Sequence, residues 1–284
     1  MRKRISQINT FPVFSPKTEY EKIADLFYNA SEFGRLVGPL SKTRARPDMS
    51  YYDCLNGTFL DWHLRGSFIT AEEMMQQLQI SPNDFENEVT EERLLDYIQF
   101  VLNAIIYVKE KIHSMTYNIY QASDTIYHAL IDNSIMVVNH LGAEIITEDR
   151  EIYIVYKDDV ATAISQENKE LRTSIIEYLK IDNHADLQRK GEVLCTLAKK
   201  LEPHEKALNS TEFKQLCSDT TFLLNNIGAR HYQNPDNKIG SRFIAMNEKE
   251  LESWYDKAFH MFLACMAVVP YLDCKSTIKA LKNP

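Results

Sequence analysis

Within Leu224-Asn-Asn-Ile-Gly-Ala-Arg-His231, two amides, a guanidinium and an imidazole fall inside eight residues. An imidazole with an unperturbed pKa of about 6.5 can move a proton at neutral pH, and a guanidinium offers forked donors that fit a phosphate. His231, Arg230 and Asn225 therefore form a candidate catalytic set for phosphoester chemistry, and Asn226 is a candidate substrate contact. A second basic group, Lys42, Arg44 and Arg46, lies between Arg35 and Tyr51-Tyr52. Cations beside aromatic faces suit a phosphate backbone with stacked bases, so these three are candidate substrate-binding residues. A polar helix cap around His231 and an ordinary solvated loop around Arg44 would account for the same residues.

The sequence holds two weaker constellations. Asp124, His128 and Asp132 recur every four residues, which aligns them on one helical stripe that could hold a metal or an acid/base pair. No metal signature accompanies them, so a solvated face is the expectation and neither a metal nor a cofactor is called for. Asp61-Trp62-His63 is expected to serve packing and local hydrogen bonding.

The elements that must position these residues are helical. Leu94, Leu95, Ile98, Val101, Leu102, Ile105 and Val108 recur at three- and four-residue intervals and predict a helix over 91–111, paired antiparallel with a second over 117–141 that ends at Gly142. Residues 143–156 are β-branched and aromatic around an acidic turn and predict one β-hairpin, which must lean on neighbouring helices. Further helices are expected at 20–33, from Thr70 to before Ser81-Pro82, and at 160–166, 170–179, 185–201, 211–226 and 248–269, the last opening on a capping box at Asn247 and Glu250. The predicted fold is mainly α, a bundle of eight to ten helices with a single β-hairpin: a helical region at 1–142, the hairpin at 143–158 and a helical region at 159–284.

The 159–284 segment resembles the HEPN superfamily, in particular the helical proteins of bacterial abortive-infection systems. The likeness rests on Asn225, the spacer Gly228 and His231, followed by a final amphipathic helix. It implies a metal-independent ribonuclease, often dimeric, in which an Arg and a His act at the scissile phosphate and the 2′-hydroxyl. Leu224 stands where the family has its Arg, so Arg230 would supply the charge. Members that have lost the pair bind or scaffold, and a non-catalytic oligomerisation or partner-binding module is the alternative.

The chain of 284 residues carries a formal charge of −8, which argues against coating nucleic acid or anionic membrane with its whole surface. Five cysteines without a Cys-x-x-Cys pair indicate neither a disulfide framework nor a zinc knuckle and fit a reducing cytoplasm. The opening residues lack the apolar core of a secretory signal, and the longest apolar run, Phe262–Val269, falls short of the ~18 residues of a bilayer span. No transmembrane helix is expected. The sequence lacks the glycine fingerprints of P-loop and Rossmann proteins and the Gly-x-Ser-x-Gly elbow, which disfavours those enzyme classes.

Overall fold

The apolar stripe from Leu94 to Val108 is at most 2% exposed, and it belongs to a helix that runs Glu91–Met115 in the computed structural model. The structure describes residues 14–30, 50–85, 89–115, 124–183, 186–227 and 245–282. The chain divides into two units, Met1–Ile154 and Val155–Pro284, each described by itself below.

In the first unit α1 (Pro16–Ala24) starts four residues ahead of the expected 20–33 helix and continues into one π-helical turn at Asp25–Asn29. The early start follows from Ser15-Pro16: the serine hydroxyl accepts from Thr18 N, and proline in the first turn gives up no hydrogen bond. α2 (Tyr51–Thr58) forms between the helices expected at 20–33 and from Thr70, where none is predicted. Ser50 and Asp53 cap it reciprocally, with Asp53 N donating to the Ser50 hydroxyl at 3.1 Å and Ser50 N donating to the Asp53 carboxylate at 2.9 Å. α3 (Ala71–Gln77) begins as expected, with Thr70 Oγ1 accepting from Glu73 N at 3.1 Å. α4 (Glu91–Met115) packs against α1, α2 and α5 (Thr125–His140). Gly142, at φ +70°, takes the left-handed conformation that ends α5.

β1 (Ala143–Glu148) and β2 (Glu151–Tyr156) form the antiparallel hairpin, turning through Asp149 and Arg150, both at positive φ as a two-residue primed turn requires. The expected support from helices is specific. Asn103 of α4 accepts from Ile152 N at 2.8 Å and donates to Ile152 O at 2.8 Å, while Gln99 accepts from Ile154 N at 2.7 Å. Two side-chain amides thus stand where a third strand would pair with β2.

In the second unit three helices open on an Asp or Asn whose side chain takes the free first-turn amides. They are α6 (Asp159–Glu167) on Asp158, α7 (Lys169–Leu179) on Asn168 and α8 (Leu187–Asn209) on Asp186. α9 (Lys214–Ile227) follows, and α10 (Glu248–Lys282) starts with the anticipated capping box of Asn247 and Glu250. α8, α9 and α10 pack on one another around Leu194, Leu197, Cys217, Ala258 and Phe262, all fully buried. Gly191 of α8 lies under Tyr255 of α10, where a Cβ would stand 3.1 Å from the tyrosine hydroxyl.

Two helices outrun their expected ends. α8 passes Pro203 to Asn209 and α10 passes Pro270 to Lys282, where stops at Leu201 and Val269 are expected. An interior proline forfeits one backbone hydrogen bond and crowds the preceding turn. In α8 continuing brings Leu208, 0% exposed, into the core beyond Leu201. Over Glu248–Lys275 α10 is, by length and composition alone, long and apolar enough to cross a membrane. Core helices meet the same test, and Leu251, Tyr255, Phe259, Phe262 and Met266 of α10 are core residues of this unit.

Candidate functional site

The last turns of α9 sort their side chains sharply. Leu223 and Leu224 are buried at 7% and 1%, whereas Asn225 and Asn226 are half-buried and Phe222 is 45% exposed. Leu224 is a core residue. Asn226 Nδ2 donates to the Phe222 carbonyl at 2.7 Å, so one amide hydrogen is held by the helix's own backbone. Gly228, Arg230 and His231 lie outside the described residues, as do Arg35, Lys42, Arg44 and Arg46. Of the seven candidate residues, Asn225 and Asn226 are thus the two that the structure places.

Asp124, His128 and Asp132 are all exposed on α5. Asp124 pairs with Lys109 at 3.1 Å, and the Lys109 ammonium sits 3.7 Å from the Tyr127 ring centre. This is a solvated polar face. Among the described residues, no group of three His, Cys, Asp or Glu side chains could hold a metal ion. Trp62 is 2% exposed and packs edge-on against Phe59 and Phe100, while its neighbours Asp61 and His63 pair with Lys111 and Glu151. That constellation serves packing.

The polar cluster that sequence reasoning missed lies in the second unit. Lys190 of α8, 3% exposed along its side chain, donates to Glu252 at 3.0 Å and Asp256 at 3.4 Å, and the Tyr178 hydroxyl of α7 donates to Asp256 at 2.8 Å. Tyr178 also stacks on Phe259, with ring centres 4.0 Å apart at 11°. Burial first, then the neighbouring Asp256 carboxylate, pushes the Tyr178 phenol far above its usual range. It keeps its proton and acts as a donor. The ammonium is matched by carboxylates and the phenol by an acceptor, so the cluster joins α7, α8 and α10 and leaves no free group for substrate chemistry. Lys190 falls on the same helical stripe as Val193, Leu194 and Leu197, which is the one signal of its burial; its partners are more than 60 residues away.

Beside it, Thr173, Ser174, Glu177, Arg189, Glu192, Val193 and Thr196 line a cleft of about 180 Å³, below the ~300 Å³ at which small-molecule sites begin. Its Arg189 is engaged by Glu177 at 2.9 Å and Glu192 at 3.1 Å. Burial alone would raise the Glu177 carboxyl, but hydrogen bonds from Lys180, Arg189 and Asn183 outweigh it and hold the group below its ordinary 4.5. A carboxyl held below its unfolded value stabilises the fold above that value, and the contribution disappears as pH falls through the lowered folded value. The second unit should therefore lose stability on acidification below about pH 4.5, and Glu177→Gln should flatten that acid limb in pH-dependent urea titrations. An acid limb identical in both proteins would remove the assignment.

The thiols offer no ready nucleophile at the buried positions. Burial, with Asp53 alongside, pushes Cys54 up to about 12, and burial also raises Cys217 and Cys265. No protein-family model, curated protein or solved structure matches the chain.

Proposed function

We propose that the chain is an intracellular, HEPN-like protein of the bacterial defence type that engages RNA and acts as a metal-independent endoribonuclease. In this reading His231 takes the proton of a ribose 2′-hydroxyl as its oxygen attacks the adjacent phosphorus. The bond to the 5′-oxygen then breaks and that oxygen leaves with a proton. Arg230 and Asn225 hold the phosphate, and Asn226, Lys42, Arg44 and Arg46 contact the strand.

The observation that supports the reading is the end of α9, where Asn225 and Asn226, both half-buried, precede the Arg230–His231 dipeptide in sequence by three intervening residues while Leu224 is turned into the core. In this reading Arg230 supplies the guanidinium. The test is incubation of the purified protein with mixed cellular RNA, with and without a chelator. His231→Ala should abolish cleavage or binding while the melting temperature stays at the parent value, and chelator should change nothing. Equal activity of variant and parent would defeat the assignment.

A second reading, a non-catalytic partner-binding module, is favoured by the Asn226 amide bonded to its own helix and by Phe222 exposed one turn before it. Under that reading Phe222→Ser weakens partner association and neither Arg230→Ala nor His231→Ala alters RNA.

A further inference from the structure

The two strands of the hairpin are sheltered unequally along their outer sides. Across the turn at Asp149 and Arg150, Glu148 stands opposite Glu151, Thr147 opposite Ile152 and Ile145 opposite Ile154. Asn103 binds both backbone groups of Ile152 and Gln99 binds Ile154 N, so these β2 residues turn their peptide groups away from β1. By the same alternation Ile145 and Thr147 turn theirs away from β2. Among the described residues nothing hydrogen-bonds to those groups. The side chains agree. Ile152 and Ile154 are buried, whereas Thr147 and Ile145, on the same rungs and the same face, are exposed and half-buried. α5 packs against β1, whose first residue, Ala143, is fully buried, and the open stretch runs from Ile145 to Glu148.

We infer that this edge is a docking site for an extended, cationic peptide segment of another protein, which adds to the hairpin as an antiparallel third strand beside β1. Outward peptide groups at every second residue are met in full by another strand, and the antiparallel pairing is the more stable one. Charge selects which strand. Residues 143–156 carry Glu144, Glu148, Asp149 and Glu151 against Arg150 alone. Glu151 takes the Tyr153 hydroxyl and lies 3.8 Å from His63, whereas Glu148, its like-charged neighbour on the same rung, has no ion pair among the described residues. Like charges directly opposite destabilise a ladder, and a lysine or arginine on a third strand beside Glu148 offsets that repulsion. A second copy of the chain is disfavoured on the same ground, because two β1 edges brought together set the glutamates of one opposite or diagonal to those of the other.

Main-chain pairing supplies the affinity of such a complex and alternate side chains its specificity. In the docked strand the residues opposite Ile145 and Thr147 are apolar or β-branched and present their amides to β1. Those between them share a face with Glu148 and are basic.

The probe is a blocked peptide of alternating lysine and valine, the length of β1, titrated into the whole protein by calorimetry and followed by amide hydrogen exchange. Binding should saturate and slow exchange at Ile145 and Thr147, with Ile152 and Ile154 unchanged. N-methylation of the valine amides should abolish it, while N-methylation of the lysine amides, which face away from β1, should spare it. Thr147→Pro removes one outward amide at an exposed edge position, where proline is tolerated, and should weaken binding at least about tenfold. Glu148→Gln should weaken it about threefold, the scale of one exposed ion pair, and a peptide with glutamate in place of lysine should not bind. Failure of the lysine peptide to bind, or equal binding of the two N-methylated peptides, would overturn the inference. So would slow exchange at Ile145 and Thr147 in the protein alone, the result expected if a second copy or another segment of this chain occupied the edge.

Discussion

Phe259→Ala should lower the unfolding free energy of the second unit by about 3–5 kcal/mol, the range for deleting a fully buried aromatic side chain. The ring is 0% exposed and stacks face to face on Tyr178. Its removal forfeits the transfer free energy of the ring and leaves a cavity among the buried side chains packed around it. It also frees Tyr178, whose hydroxyl donates to the Asp256 carboxylate that Lys190 shares. Tyr178→Phe separates the two contributions, since it keeps the stack and deletes the hydroxyl, at a cost of about 1 kcal/mol. Urea unfolding followed through Trp254 emission in a Trp62→Phe background measures both, because the chain has two tryptophans and Trp254 is the one on α10. A loss under about 1 kcal/mol for Phe259→Ala would mean that the ring is not packed as described.

Asn103→Ala should cost the first unit about 2–4 kcal/mol although the residue is polar and only half-buried. The side chain satisfies both backbone groups of Ile152, a residue 7% exposed, so truncation orphans a donor and an acceptor together, at about 1–3 kcal/mol each. Gln99→Ala releases Ile154 N from the same edge and should cost less than half as much. Asn103→Asp is informative in a different way, because the carboxylate still accepts from Ile152 N but presents an oxygen to Ile152 O. It should fall nearer to Ala than to the parent. Unfolding monitored through Trp62, with hydrogen exchange at Ile152 and Ile154, ranks the three; equal costs for Asn103→Ala and Gln99→Ala would contradict the paired-amide account.

What could be read in the sequence was what local periodicity and capping chemistry control. The α4 stripe, the Thr70 and Asn247 caps, the Gly142 stop and the hairpin followed from residue types a few positions apart. Pro203 and Pro270 misled the reading because the steric rule for proline is local, whereas the burial of Leu208 that carries α8 onward is decided by distant packing. The same holds for function. Lys190 looks like any helix lysine until its carboxylate partners arrive from α10, and the Asn103 and Gln99 amides look like a solvated helix face until β2 lies on them. Asn225 and Asn226 fall where the helix pattern puts them, while Arg230 and His231 lie outside the described residues.

A two-stranded hairpin ordinarily exposes two rows of unpaired peptide groups, and each is a template on which another chain can crystallise into cross-β. Because α4 plugs the β2 row with amides, at most the β1 row remains open to templating. The Asn103 amide is in that sense a guard against polymerisation as much as a stabiliser, and variants that lose it would be expected to seed fibrils at concentrations where the parent stays clear.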